Sequence, residues 1–120
     1  MAKILVHIHT GPSDPTKATL GLLVALTAKK KGHDVTVFLA GDAVHLFAPS
    51  YRGTVEGLGT GTLVDHLSGH AKAGTTFVLS GMSAKARGYD ETLLDGFDAS
   101  FGMPDMLVDL STEADTVLCY

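Results

Sequence analysis

The fold is decided by residues 3–40, KILVHIHTGPSDPTKATLGLLVALTAKKKGHDVTVFLA. Residues 3–9 are apolar and β-rich at their start, which is typical of a central strand in a parallel sheet. Residues 15–31 predict a helix, because Asp14 can cap it ahead of a proline and three lysines followed by a glycine can end it. Residues 34–40 predict a second strand. Together these segments form a βαβ unit, for which a right-handed crossover is expected.

The alternation of helix and strand continues to the last residues. We predict short helical segments at 43–47, 83–87 and 91–94, helices at 62–73 and 104–112, and strands at 75–79, 99–102 and 116–119. Residues 49–61 are rich in Gly and Thr without a clear period, and we expect a mobile loop there. The pattern predicts a single α/β domain over residues 1–120, a three-layer α/β/α sandwich on a mainly parallel five-stranded sheet.

Composition excludes several classes of protein. The chain has 120 residues, of which 45% are hydrophobic and 18% charged, so an ordinary core can hold it. A single cysteine excludes an internal disulfide. The net charge of −4 and the lack of Trp disfavour nucleic acid as a partner. No stretch is long enough to span a membrane, and His7 and His9 come too early for a signal-peptide core, so we expect a cytoplasmic protein without a membrane partner.

Charge is unevenly distributed along the chain. Residues 88–120 contain eight acids and no Lys or Arg, whereas the other residues contain nine bases and five acids. The plainer interpretation is a solvated acidic face. The alternative is a docking face for a basic partner or for a sister subunit.

Four predicted strands end in a glycine step, at Thr10-Gly11, Ala40-Gly41, Ser80-Gly81 and Phe101-Gly102. Ligands of open α/β sheets bind at this carboxyl edge, where glycines let backbone amides approach them. The amides of 81–83 could hold a small anion. The candidate ligand-binding residues are therefore His9, Ser13, Asp14, Gly41, Asp42, His45, Ser80, Gly81, Met82 and Ser83. The alternative is that Asp14, Asp42 and Ser83 merely cap helices.

Two histidine pairs raise the question of a metal. His7 and His9 project to one face of their strand, and His66 and His70 lie four residues apart on a helix. Neither spacing is specific, so we predict no metal and no cofactor. The run at 80–83 contains serines but lacks the G-x-S-x-G pattern, which disfavours a hydrolase.

Several segments together resemble the DsrE-like family of sulfur-relay proteins, the DsrE/DsrF type, over residues 3–119. They are the opening KILV at 3–6, the helix at 15–31, GHDVTVF at 32–38 followed by GDAV at 41–44, and SGMSAKARG at 80–88. The GDAV step and the small-residue helix that ends in Arg-Gly are the most specific of these. The resemblance implies a flavodoxin-like sandwich, homo-oligomers that are usually trimers or hexamers, and a cysteine that carries persulfide sulfur in active members.

The resemblance places that cysteine at Ser80, and a second one found in some relatives at Ser83. A serine hydroxyl neither ionises at neutral pH without a dedicated base nor accepts sulfur as a thiol does. Cys119 is the one thiol in the chain and the remaining candidate catalytic residue. A buried structural thiol or a residue of a frayed end is the plainer expectation for it.

The leading hypothesis is a cytoplasmic, oligomeric DsrE-like module that binds a small anionic ligand without catalysis. The alternatives are a sulfurtransferase that uses Cys119 and a structural subunit that meets a sulfur-relay partner through residues 88–120. The apolar character of residues 18–28 favours assembly, since it exceeds what one helix stripe on a sheet requires. The alternative is that residues 49–61 cover this helix within the monomer.

Overall fold

A parallel sheet of five strands forms the centre of the protein in the computed structural model, which describes residues 1–120. In chain order the strands are β1 (Lys3–Ile8), β2 (Asp34–Leu39), β3 (Glu56–Gly57), β4 (Gly61–Thr62), β5 (Thr76–Ser80), β6 (Asp98–Gly102) and β7 (Thr116–Cys119). The central sheet has the order β6-β5-β2-β1-β7, and every neighbouring pair is parallel. The parallel five-stranded sheet predicted from the sequence is confirmed.

Helices connect these strands. They are α1 (Pro15–Lys30), α2 (Pro49–Arg52), α3 (Leu63–Ala73), α4 (Gly81–Ala86) and α5 (Pro104–Glu113), with 3-10 helices at Gly41–Phe47 and Glu91–Leu94. None of the helices combines the length and the apolar character needed to cross a bilayer.

Helix α1 begins and ends at the residues that the sequence predicted would cap it. The Asp14 carboxylate accepts a hydrogen bond from the Lys17 amide at 3.2 Å, and Pro15 fills the first helical position. Lysines occupy the last turn, and Gly32 follows with φ of +90°, a conformation that favours glycine.

The two faces of the sheet are covered unequally. On one face, which we call the α1 face, Val6, Val37 and Phe77 belong to a core of 21 buried residues that also includes residues of α1 and α3. On the other, the α5 face, a cluster of three buried residues, Leu5, Phe38 and Val78, packs mainly against α5, with Ala40 and Ala114 beside it. No residue of α5 is itself buried. The sandwich therefore has a thick layer and a thin one.

The segment 49–61 is not the irregular loop predicted from its composition. It contains α2 and an antiparallel hairpin formed by β3 and β4. Val55 is buried, and its carbonyl accepts a hydrogen bond from the Leu63 amide. The prediction was wrong because two-residue strands joined through glycines of positive φ, Gly59 and Gly61, show no hydrophobic period.

This hairpin covers part of α1. The Thr60 and Thr19 hydroxyls are 2.7 Å apart, and the Leu58 amide donates to the Thr16 hydroxyl at 3.0 Å. Leu20 and Leu23 on α1 remain 36% and 37% exposed. Residues 49–61, weighed above as an alternative cover for this helix, therefore cover part of α1 within the monomer.

Candidate functional site

The carboxyl ends of β1, β2 and β5 bring three chain segments together. The turn after β1 lies directly against the turn after β2, since a Cβ added to Gly11 would lie 2.5 Å from the Asp42 carbonyl oxygen. Only glycine permits this approach. Gly41, at the end of β2, has φ of +59° and donates its amide hydrogen to the Ser83 hydroxyl at 2.8 Å.

Both serines of the 80–83 run hold backbone groups. Ser80 is 9% exposed, and its hydroxyl caps α4 by accepting a hydrogen bond from the Ser83 amide at 3.1 Å. The Ser83 hydroxyl accepts the hydrogen bond from the Gly41 amide described above. The amide of Ser83, one of three predicted to bind an anion, therefore already has a partner within the chain.

Asp42 pairs with an arginine that was not among the predicted site residues. The Arg87 guanidinium donates to the Asp42 carboxylate from Nη2 at 2.8 Å and from Nε at 3.2 Å, and to the Ser83 carbonyl from Nη1 at 3.1 Å. This contact joins the GDAV step to the helix that ends in Arg-Gly. The two sequence markers of the family resemblance are thus in direct physical contact.

A shallow depression of about 390 Å³ lies beside this pair, and we call it the edge pocket. It is lined by Pro12, Ser13, Asp42, His45 and Tyr51. Three of the predicted residues, Ser13, Asp42 and His45, therefore come together. Tyr51 was not predicted as a site residue, because residues 49–61 were predicted to form a loop. Its ring centroid lies 4.9 Å from that of His45.

A second tyrosine, Tyr89, contacts His45 from outside the lining of the edge pocket. The Tyr89 hydroxyl lies 2.6 Å from Nδ1 of His45. Burial, and to a smaller extent the neighbouring Tyr51, raises the pKa of Tyr89, so its phenol stays protonated at neutral pH. No sequence signal pointed to Tyr89, because its contact with His45 depends on tertiary packing.

The other predicted residues lie outside the lining of the edge pocket. Asp14 caps α1, as its alternative interpretation proposed, and Met82 is exposed. His9 is exposed, and its ring centroid lies 5.4 Å from that of His7. Gly41, Ser80, Gly81 and Ser83 belong to the framework beneath the pocket and are not among its five lining residues.

Two further depressions hold none of the predicted residues. One of about 450 Å³ is lined by Pro49, Arg52, Gly88, Tyr89, Asp90, Thr92, Leu93 and Asp95. The Arg52 guanidinium there already donates to the Phe47 carbonyl at 2.7 Å. The other, of about 200 Å³, lies at the amino ends of β1 and β2 against the last turn of α5.

Cys119 is exposed, which contradicts the first of the two expectations for it, a buried structural thiol. The second, a residue at a frayed end, stays a prediction. The side chain is exposed because β7 is an edge strand and Cys119 projects to the thinly covered α5 face. Cys119 lies opposite His7 in the β1–β7 register. Burial, and then the neighbouring His9, lowers the pKa of His7, and its Nε2 is buried without a hydrogen bond in the chain.

The helical histidine pair has structural partners. His66 Nε2 lies 2.6 Å from the Thr60 carbonyl oxygen. His70 is fully buried, with Nδ1 2.8 Å from the Thr75 hydroxyl and Nε2 2.9 Å from the Leu22 carbonyl oxygen. Nowhere in the chain do three or more side chains suited to metal ligation come together.

The parallel sheet flanked by helices defines an α/β protein with polar residues at the carboxyl edge of its strands. Residues 2–120 match the model of the DsrE/DsrF-like family, and the chain belongs to that family. Family membership supports a protein of sulfur-relay type. No curated protein matches the chain significantly.

Solved structures share the fold. The YchN protein of E. coli superposes with a TM-score of 0.81 at 24% identity, covering 100% of both chains. The protein BT1422 of Bacteroides thetaiotaomicron, described as of unknown function, gives 0.69 at 14% identity over 98% of this chain and 95% of its own. The protein MTH1491 of Methanobacterium thermoautotrophicum, described likewise, gives 0.69 at 17% identity over 100% of both.

Proposed function

We propose that this chain is a cytoplasmic, oligomeric module of sulfur-relay type that binds a small anionic ligand at the edge pocket without catalysing sulfur transfer. The observation that carries the proposal is the state of Ser80. The family resemblance assigns the sulfur-carrying cysteine to this position, and here the hydroxyl is nearly buried and caps α4.

The chemistry of Ser80 supports a role without catalysis. A nucleophilic serine needs an adjacent base that takes its proton. The hydrogen bond found at the Ser80 hydroxyl is with a backbone amide, which is not a base. A persulfide also needs a sulfur atom on the carrier, which serine lacks.

The edge pocket supplies the binding groups. Ser13, His45 and Tyr51 can each donate a hydrogen bond from its wall. The Asp42 carboxylate would repel an anion, but its charge is paired with the Arg87 guanidinium. A small anion thus meets hydroxyl and imidazole donors beside a neutralised carboxylate.

Mass spectrometry tests the absence of sulfur transfer. After exposure to a persulfide donor, Ser80→Cys in a Cys119→Ser background should gain the mass of one sulfur atom, because it restores a thiol at the family position. Wild type should gain none, although an alkylating reagent modifies its Cys119. A sulfur adduct on the wild type that disappears in Cys119→Ser would overturn the proposal.

Calorimetric titration tests the ligand site, with thiosulfate as the probe. Tyr51→Phe removes one hydroxyl from the pocket wall and should weaken binding by roughly tenfold, as expected for a lost hydrogen bond to a charged group. Tyr120→Phe, a hydroxyl deletion outside the pocket, should leave binding unchanged. Equal affinity of wild type and Tyr51→Phe for thiosulfate would show that the ligand does not bind in the edge pocket.

One observation favours a second candidate function, a persulfide carrier that uses Cys119. The thiol is exposed and lies opposite His7, an imidazole on the same face of the sheet. The mass measurement described above separates this candidate from the first.

A further inference from the structure

The outer edge of β7 is unpaired. β7 lies at the end of the sheet and pairs only with β1. The Tyr120 amide donates to the His7 carbonyl at 2.8 Å, and the Tyr120 carbonyl accepts from the His9 amide at 2.9 Å, both on the β1 side. Because backbone groups alternate sides along a strand, Leu118 also faces β1, and the N–H and C=O groups of Val117 and Cys119 point away from it. The edge therefore offers two donors and two acceptors to another strand.

The sheet surface next to this edge is also incompletely covered. Val117 is 40% exposed and Cys119 is exposed, both on the α5 face. On the same face His7 Nε2 is buried without a hydrogen-bond partner in the chain. Buried polar atoms usually have a partner, so this surface has both apolar and polar groups that a bound segment could satisfy.

Charge decides what kind of segment fits. Residues 88–120 contain eight acids and no Lys or Arg. Asp109 and Glu113 are exposed on α5, which leads into β7. Lys3, next to β7 on β1, is the neighbouring base. Pairing β7 with β7 of a second copy would bring two acidic segments together, whereas a basic segment would be complementary.

We propose that β7 and α5 form a docking surface for a basic, extended segment of a partner protein, which adds to the sheet as a sixth strand. Main-chain hydrogen bonds to Val117 and Cys119 provide the attachment. Long Lys or Arg side chains of the partner reach the acids of α5. This surface is separate from the edge pocket, so a small ligand and a protein partner bind at different places.

The test uses a fluorescent octapeptide of alternating lysine and valine, followed by anisotropy at low salt. Val117→Pro removes an outward N–H without touching the β1 ladder and should weaken binding by roughly tenfold, whereas Val117→Thr keeps the N–H and should not. Circular dichroism establishes that both variants are folded.

A charge variant provides an independent arm. Asp109→Asn with Glu113→Gln should weaken binding roughly tenfold and reduce its salt dependence. The matched control, Glu56→Gln with Asp65→Asn, removes two exposed acids elsewhere and should have little effect. Equal binding of a glutamate–valine octapeptide, or full binding by folded Val117→Pro, would overturn the proposal. So would a dimer that Val117→Pro dissociates, because a second copy would then occupy the edge.

Discussion

His70 is a buried side chain whose hydrogen bonds fix its tautomer and whose lowered pKa makes the stability of the protein depend on pH. The Leu22 carbonyl can only accept a hydrogen bond, so Nε2 of His70 carries the proton and Nδ1 accepts from the Thr75 hydroxyl. Burial is the largest cause that lowers the pKa of His70, and the charges of His66 and Lys30 act in the same direction. The hydrogen bond to Leu22 opposes them. The folded protein therefore holds this imidazole neutral.

The lowered pKa predicts a loss of stability in mild acid. Above the unfolded pKa of about 6.5, both states carry a neutral His70 and the group adds no pH dependence. As the pH falls below that value, the unfolded chain binds a proton that the folded protein does not, so the free energy of unfolding decreases. Urea unfolding between about pH 7.5 and 5 measures this slope.

The control for this prediction is His70→Gln, which keeps a polar side chain but cannot titrate. Its unfolding free energy should be lower at every pH, but it should fall less steeply in acid than that of the wild type. His7, whose pKa is also lowered, leaves a residual slope of the same sign. Identical slopes in wild type and His70→Gln would show that His70 is not the group responsible.

At the scale of elements, the hairpin of β3 and β4 depends on one glycine. Gly57 is buried, and a Cβ there would clash with the Thr60 and Thr19 hydroxyls. Gly57→Ala should therefore lower the free energy of unfolding by about 1–3 kcal/mol, the usual cost of overpacking. Gly53→Ala is the matched control, because no atom lies within 4 Å of the added Cβ. A Gly57→Ala protein as stable as Gly53→Ala would contradict the close packing of the hairpin.

Local signals explain which elements the sequence predicts well. The limits of α1 were predictable because Asp14, Pro15 and the lysines act on the helix they adjoin. The hairpin was not, since its strands of two residues are too short to show a period. The same holds for the site. Glycine steps locate the edge of the sheet, but the meeting of His45 with Tyr51 and Tyr89 depends on contacts between distant segments.

At the scale of the whole molecule, we propose that the exposed leucines of α1, Leu20 and Leu23, form the contact between subunits. Light scattering coupled to gel filtration should give the mass of a trimer or hexamer for the wild type. Leu20→Glu with Leu23→Glu should shift it towards the monomer, since burying two carboxylates without partners is unfavourable. Val108→Glu, at a residue of α5 that is 60% exposed, should not change the mass. A monomeric wild type would contradict the assembly.

The unequal layers also have a consequence for motion. Helix α5 has no buried residue and packs on a cluster of three, whereas α1 contributes seven buried residues to the thick side. Local opening follows the weakest packing, so α5 should detach and return while the rest of the sheet stays intact. Its amide hydrogens should then exchange with deuterium well before those of α1, which are released only when the whole domain unfolds.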